Sequence, residues 1–294
     1  MRPLISVIVP AYRHEAYIDQ CLQGIAAQKG AFDLEVVVCD DASEDQTAVI
    51  AKRWAERDER ILVHSHPENL GPSKNFEFAL KRCRGKYVAY CEGDDYWSSP
   101  DKLSAQMAVL EEHGDTDLAY SQYGKINEAG EIVEGNVPVH EGPLFYLNDL
   151  IDDHGPSMNS ILVRRDVLPT KFPKTFHRVP NPDVFILAAA LRRRPGRFVP
   201  GVYSMYRVHP GGIWSGKAQA EKNLIRYSTL AEVFKWISRG DRDAMKRIHA
   251  GLESALLVAR RKHRPLFDQY AGKLPWKRRF ILKSKWLYAH LLGK

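Results

Sequence analysis

Residues 4–9, LISVIV, and residues 34–39, LEVVVC, are continuous apolar runs of strand length, rich in β-branched residues. A strand with one wet face alternates apolar and polar positions. Runs without that alternation suit strands buried on both faces, as in parallel sheets covered by helices. Between the two runs, Ile18, Cys21, Leu22 and Ile25 recur at helical spacing from Glu15 to Gln28.

Further along, the pattern predicts a helix from about Thr47 to Arg57 and a short strand at Ile61–Val63. Next come a helix from Pro72 to Cys83, begun by proline in its first turn and stopped near Gly85, and a strand at Tyr87–Cys91. This alternation predicts right-handed βαβ units and a Rossmann-like α/β sheet. Residues 115–180 are less regular, with a strand around Leu118–Tyr123, a turn at Glu128-Ala129-Gly130 and loops through Pro156. A strand at Ile161–Val163, a helix at about Asp183–Arg194 and a strand at about Arg197–Tyr206 complete the body. From about Ala218 the pattern is helical, so two parts are expected, residues 1–217 and 218–294.

The chain has 294 residues, 44% hydrophobic and 27% charged, which excludes disorder and collagen-like repeats. Its longest apolar run, Val184–Leu191, is eight residues, too short for a membrane helix. The start, MRPLISVIVPAYRHE, has no small-residue cleavage site, so a signal peptide is not expected. Cys21, Cys39, Cys83 and Cys91 lack CxxC spacing and read as small buried hydrophobes in a reducing cytoplasm.

Ligands of open α/β sheets sit beyond the carboxyl ends of the strands. There the chain places Pro10-Ala11-Tyr12, Asp40-Asp41 and Glu92-Gly93-Asp94-Asp95, bringing two carboxylate pairs to one sheet edge. Paired anions repel, so donors, a base edge or a cation must compensate. Hard oxygen ligands such as Asp94 and Asp95 suit Mg²⁺ or Mn²⁺. The competing structural role is capping a helix that begins near Pro100. Gly211–Ala218 matches G-x-x-x-x-G-K but ends in alanine and lies far from the first strand, so a P-loop is rejected.

Four segments in order, SVIVPAYRHEAYIDQCLQGIAAQ, EVVVCDDASEDQT, ENLGPSKNFEFAL and GKYVAYCEGDDYW, strongly resemble the nucleotide-sugar domain of inverting family 2 glycosyltransferases. The likeness spans about Leu4–Lys102 and continues weakly to Ser215. It implies a GT-A fold, a mixed, mostly parallel sheet flanked by helices, with a C-terminal helical extension. It also implies a nucleoside-diphosphate sugar as donor, and a glycan or lipid-linked saccharide as acceptor.

By that resemblance Pro10, Ala11 and Tyr12 line the base and ribose, and Asp41 accepts from the uracil N–H. Lys74 lies near the phosphates, Asp94 contacts ribose or sugar, and Asp95 is the metal ligand, with His209 at metal or phosphate. Asp183 is the base that deprotonates the acceptor hydroxyl, and Ser157 and Asn159 face the acceptor. Ala42 stands where glycine is commoner, a departure expected to change little. Processive synthases of this family resemble one another in a Q-x-x-R-W motif and membrane helices. Here Ile50 precedes Arg53-Trp54, so addition of one sugar is expected. A sugar nucleotidyltransferase or a non-catalytic sugar-nucleotide module are the competing readings.

The formal charge of +7 is uneven. From Asp241 onward 14 Lys and Arg oppose 4 Asp and Glu, whereas residues 1–240 are net acidic. Residues 276–294 interleave Lys and Arg with Trp276, Phe280, Trp286 and Leu291, a pattern suited to an anionic membrane surface. The alternative is a solvated basic face on a helix packed against the body; without a reading motif, no nucleic acid partner is expected. Deleting residues 276–294 is expected to release the protein from anionic vesicles in a flotation assay. Undiminished binding refutes that anchor.

Overall fold

A computed structural model describes residues 2–137, 142–152, 155–179 and 181–237, with single positions at 246, 248 and 250. The 276–294 segment, read as a membrane anchor, lies outside the described residues.

The strands are β1 (Leu4–Ala11), β2 (Asp33–Asp40), β3 (Ile61–Ser65), β4 (Tyr87–Tyr90), β5 (Tyr96–Trp97), β6 (Leu118–Ile126), β7 (Ile132–Val137), β8 (Leu144–Phe145), β9 (Ile161–Arg164) and β10 (Gly196–Arg207). The helices are α1 (Ile18–Ala26), α2 (Thr47–Arg57), α3 (Pro72–Leu80), α4 (Lys102–Glu112), α5 (Asp149–Asp152), α6 (Asp183–Ala190) and α7 (Gln219–Ile237). One sheet runs in the order β3-β2-β1-β4-β9-β6-β10-β5, with β7 added to β6 and β8 to β10.

The first four strands pair in parallel, as expected. Beyond them, β9 lies antiparallel between β4 and β6, while β10 returns parallel to β6. The second half is therefore mixed. Antiparallel neighbours need no helical crossover, and among the described residues of 113–160 no helix is longer than the four-residue α5. β7 and β8 occupy a stretch expected to be loop, and α6 stops at Ala190 rather than near Arg194.

Ile5, Val7, Ile8 and Val9 of β1 are wholly buried, as are Val37 and Val38 of β2. Each such side chain contributes about 1.5–3 kcal/mol relative to exposure. Ser6, also buried, donates its hydroxyl to Glu35, which takes the Arg84 N–H and guanidinium as well. The four cysteines are buried and free, and burial pushes the Cys39 and Cys83 thiols up to about 12.

Contacts divide the chain into two units, residues 1–177 with 185–209, and residues 178–184 with 210–294. In the second, α7 buries Leu224, Ile225, Leu230, Val233 and Phe234, and the Thr229 hydroxyl donates to the Asn181 side-chain oxygen.

Lys102 is buried at the start of α4. Its ammonium donates to Gln106 Oε1 at 2.8 Å and to the Ile161 carbonyl at 3.1 Å, and lies 4.4 Å from the centre of the Trp97 ring. Burial pulls its pKa down to about 7 from 10.5. Between those values the unfolded chain holds the extra proton, so this group's contribution makes the folded state more stable as pH rises. Urea unfolding at pH 7 and pH 9 is expected to show wild type gaining stability relative to Lys102→Met over that interval.

Candidate active site

The carboxyl ends of β1, β2 and β4 bring the β1–α1 loop, the β2–α2 loop and residues 91–95 to one sheet edge. The first two loops are stitched together. Arg13 N–H donates to Ser43 Oγ at 2.9 Å, His14 N–H to Thr47 Oγ1 at 2.7 Å and Glu15 N–H to Asp45 Oδ2 at 3.2 Å; Gln46 N–H returns a bond to Glu15 at 2.8 Å. At this edge Ala11 is buried, Pro10 half-buried and Tyr12 exposed.

Two non-glycine residues in the stitched loops have left-handed backbones, Arg13 at φ 59° and Ala42 at φ 61°. That conformation costs an alanine about 1–2 kcal/mol. Ala42 therefore carries a modest strain where a glycine has none.

Asp41 is buried and accepts from Leu70 N–H at 2.7 Å and Gly71 N–H at 2.9 Å, fixing the loop that opens α3. Each carboxylate oxygen can accept a second bond, so Asp41 keeps capacity for a ligand N–H. Lys74 stands exposed in the first turn of α3. Asp40, the other carboxylate of this pair, has its Oδ1 buried without a hydrogen-bond partner. Burial pushes its carboxyl above the usual range.

Asp94 and Asp95 have opposite environments. Asp95 is 2% exposed; its Oδ2 accepts from Asn159 Nδ2 at 2.7 Å and its Oδ1 from Arg207 N–H at 2.8 Å. Burial, then the charges of Asp94 and Glu92, raise its pKa well above the carboxylate range, favouring the neutral form. Asp94 Oδ2 meets His209 Nε2 at 3.1 Å and lies 3.6 Å from His14 Nε2, while its Oδ1 is buried without a partner. Burial works against its charge, but the histidines more than offset this and hold its carboxyl below the usual range. Burial in turn lowers His14.

The structure bears on three expectations. Asp95, read as the metal ligand, takes one protein hydrogen bond at each oxygen, whereas Asp94, with an unpartnered Oδ1, is the more open carboxylate. Asn159, read as facing the acceptor, is 1% exposed and spends its amide on Asp95 and the Met205 carbonyl. Neither aspartate caps α4, whose N-cap is Asp101 without a side-chain bond. Ser157, half-buried, accepts at its carbonyl from Ser160 Oγ and N–H.

Arg207 and His14 were missed. The Arg207 guanidinium donates to the carbonyls of Asp94, Asn127 and Glu128 and to Gln20 Oε1, and its central carbon lies 4.6 Å from the Tyr17 ring centre. Arg207 adjoins the segment that suggested His209, and His14 follows the one that suggested Tyr12, but nothing in their spacing indicates where they point.

Asp183 is the first residue of α6 and belongs to the second unit. Burial raises its carboxyl to about 6, while main-chain N–H groups of Asp183 and Val184 work the other way. Among the described residues, no three His, Cys, Asp or Glu side chains form a ready metal cluster, and no helix is long and apolar enough to cross a membrane.

Residues 6–170 match the model of Glycosyl transferase family 2. The chain belongs to that family. An uncharacterized protein of Mycobacterium tuberculosis is 32% identical over 216 residues, 71% of this chain and 60% of that protein. The chain thus spans less than two thirds of that relative. A Bacillus subtilis protein named as a teichuronic acid biosynthesis glycosyltransferase, TuaG, is 36% identical over 111 residues, 38% of this chain and 43% of its own length.

Among solved structures, S. aureus TarS 1–349 in complex with UDP-GlcNAc superposes with a TM-score of 0.63 at 22% identity, covering 95% of this chain and 78% of that one. The mannosyltransferase PcManGT from Pyrobaculum calidifontis, in complex with GDP-Man and Mn²⁺, gives 0.59 at 18%, covering 98% and 81%. The fold is GT-A.

Ala42→Gly is expected to stabilise the protein by about 0.5–1 kcal/mol, the strain relieved less the entropy glycine adds to the unfolded chain. Asp95→Ala should cost about 2 kcal/mol or more by stranding two buried donors, whereas Asp94→Ala should cost much less. Chemical denaturation of the three variants checks both.

Proposed function

We propose that this chain is an inverting glycosyltransferase that moves one sugar from a nucleoside-diphosphate sugar, a UDP-sugar, to a hydroxyl of a glycan or lipid-linked saccharide in cell-surface polysaccharide biosynthesis. The observation that carries the reading is the split carboxylate pair, an ionised Asp94 beside His209, at the nucleotide edge of the sheet. The name of TuaG supports the polysaccharide context, and the ligands of TarS and PcManGT support a sugar-nucleotide donor. Because those two ligands differ in base, uridine rests on Asp41, a carboxylate suited to a ring N–H.

Asp94 and His209 are the residues to hold a divalent cation, Mn²⁺ or Mg²⁺. Their fit rests on the unpartnered buried Asp94 Oδ1 and on hard cations keeping several positions for water and phosphate. Such a cation, when bound, neutralises charge developing on the leaving diphosphate. Pro10, Ala11, Tyr12 and Asp41 hold base and ribose, and Lys74 adds positive charge on the phosphate side. Asp183 takes the proton of the acceptor hydroxyl as it attacks the anomeric carbon from the face opposite the diphosphate. Its raised pKa suits that role, since a base must hold a proton briefly and release it near neutrality. Ser157 remains the acceptor-side candidate. The enzyme works in the cytoplasm, at the inner membrane face if residues 276–294 anchor it.

Thermal shift with UDP, GDP, TDP and CDP, with and without Mn²⁺, is expected to give a Mn²⁺-dependent rise with UDP; no shift with any of them overturns the donor site. Asp183→Asn is expected to abolish transfer while keeping the UDP shift. The wild-type rate should fall as pH drops through about 6, where this base takes up a proton. Normal turnover by Asp183→Asn removes Asp183 from the mechanism.

A further inference from the structure

His14 lies where the nucleoside loops meet the open carboxylate. Its main chain belongs to the stitching, donating to Thr47 Oγ1 at 2.7 Å and accepting the Tyr17 and Ile18 N–H groups, both at 2.9 Å, that start α1. Its ring belongs to the other side. Nε2 lies 3.6 Å from Asp94 Oδ2, the oxygen that His209 meets at 3.1 Å, and the two imidazoles stand edge to face with centres 6.5 Å apart. The back of the His14 ring packs on Gly93: a Cβ there would stand 2.8 Å from Nδ1 and 3.2 Å from the Ala11 Cβ.

From this juxtaposition the geometry points to His14 as a positioning residue that couples occupancy of the nucleoside loops to the presentation of Asp94 to a cation. The inference rests on the reading of Asp94 and His209 as the metal pair and deepens it. At 3.6 Å the His14 contact is just too long for a hydrogen bond. A nucleoside held by Pro10, Ala11 and Tyr12 on one loop and Asp41 on the other bridges the two stitched loops and stiffens the bonds between them. His14 is fixed to both through its own chain and through Thr47, so its ring is held against Oδ2. With Oδ2 then held by His14, the unpartnered Oδ1 and the His209 Nε2 are the groups left for the cation. Binding linkage is reciprocal, so the cation must tighten nucleoside binding by the same factor.

Uridine separates this route from direct contact, because it has no phosphate with which to reach a cation. The measurement is Mn²⁺ affinity of the full chain by electron paramagnetic resonance, alone, with uridine and with UDP. Uridine is expected to tighten Mn²⁺ by about 5-fold or more in wild type, the lower end of ordinary coupling. His14→Phe, which keeps the ring volume, should lose the uridine effect while UDP still promotes Mn²⁺ binding. Thr47→Val, which cuts the loop bond, and Gly93→Ala, which displaces the ring, should lose it too and serve if His14→Phe does not fold. A uridine effect that persists in the folded variants overturns the inference. So does its absence in a wild type that binds Mn²⁺ with UDP, which leaves the metal pair standing. A wild type that binds no Mn²⁺ even with UDP removes the metal pair and the coupling together.

Discussion

The carboxyl group of Asp95 joins three segments that are distant in sequence. It follows β4, accepts the Asn159 side chain from the 158–160 turn and takes the Arg207 main-chain N–H at the end of β10. A buried polar group left without partners costs more than most single contacts return, so these three segments can meet in few other ways. Neighbouring bonds extend the constraint: Trp97 donates its indole N–H to the Asn159 carbonyl, and Lys102 and Gln106 of α4 hold the Ile161 and Ser160 carbonyls. The edge that carries the candidate chemistry is thus tied together at Asp95.

Adjacent aspartates acquire opposite characters through solvation and partners alone. Asp95, sealed in and facing other carboxylates, is driven toward its neutral form. Asp94, one residue earlier, faces two imidazoles and keeps its charge. Two neighbouring carboxylates with pKa values pushed apart are suited to different work.

The nucleoside loops show a similar economy. Bonds between residues 13–15 and 43–47 hold the β1–α1 and β2–α2 connections in register before any ligand arrives, and the left-handed backbones of Arg13 and Ala42 are the strain this shape carries. Restraint of this kind lowers the entropy lost on binding a donor.

The apolar runs of β1 and β2, the helical spacing of Ile18, Cys21, Leu22 and Ile25, and the position of acidic residues just beyond the strand ends were legible from the amino-acid order. Burial on both faces and the helical period are local properties of the chain. So was the family, because its four motifs lie within a hundred residues. The antiparallel insertion of β9, the commitment of Asn159 to Asp95, and the choice of Asp94 over Asp95 as the open carboxylate were not. Each depends on which groups come within about 3 Å across separations such as the 64 residues between Asp95 and Asn159 or the 115 between Asp94 and His209. Sequence determined which residue types reach the edge of the sheet. Tertiary structure decided which of them remain free to act, because hydrogen-bond satisfaction and desolvation are properties of the folded surroundings and not of the residue.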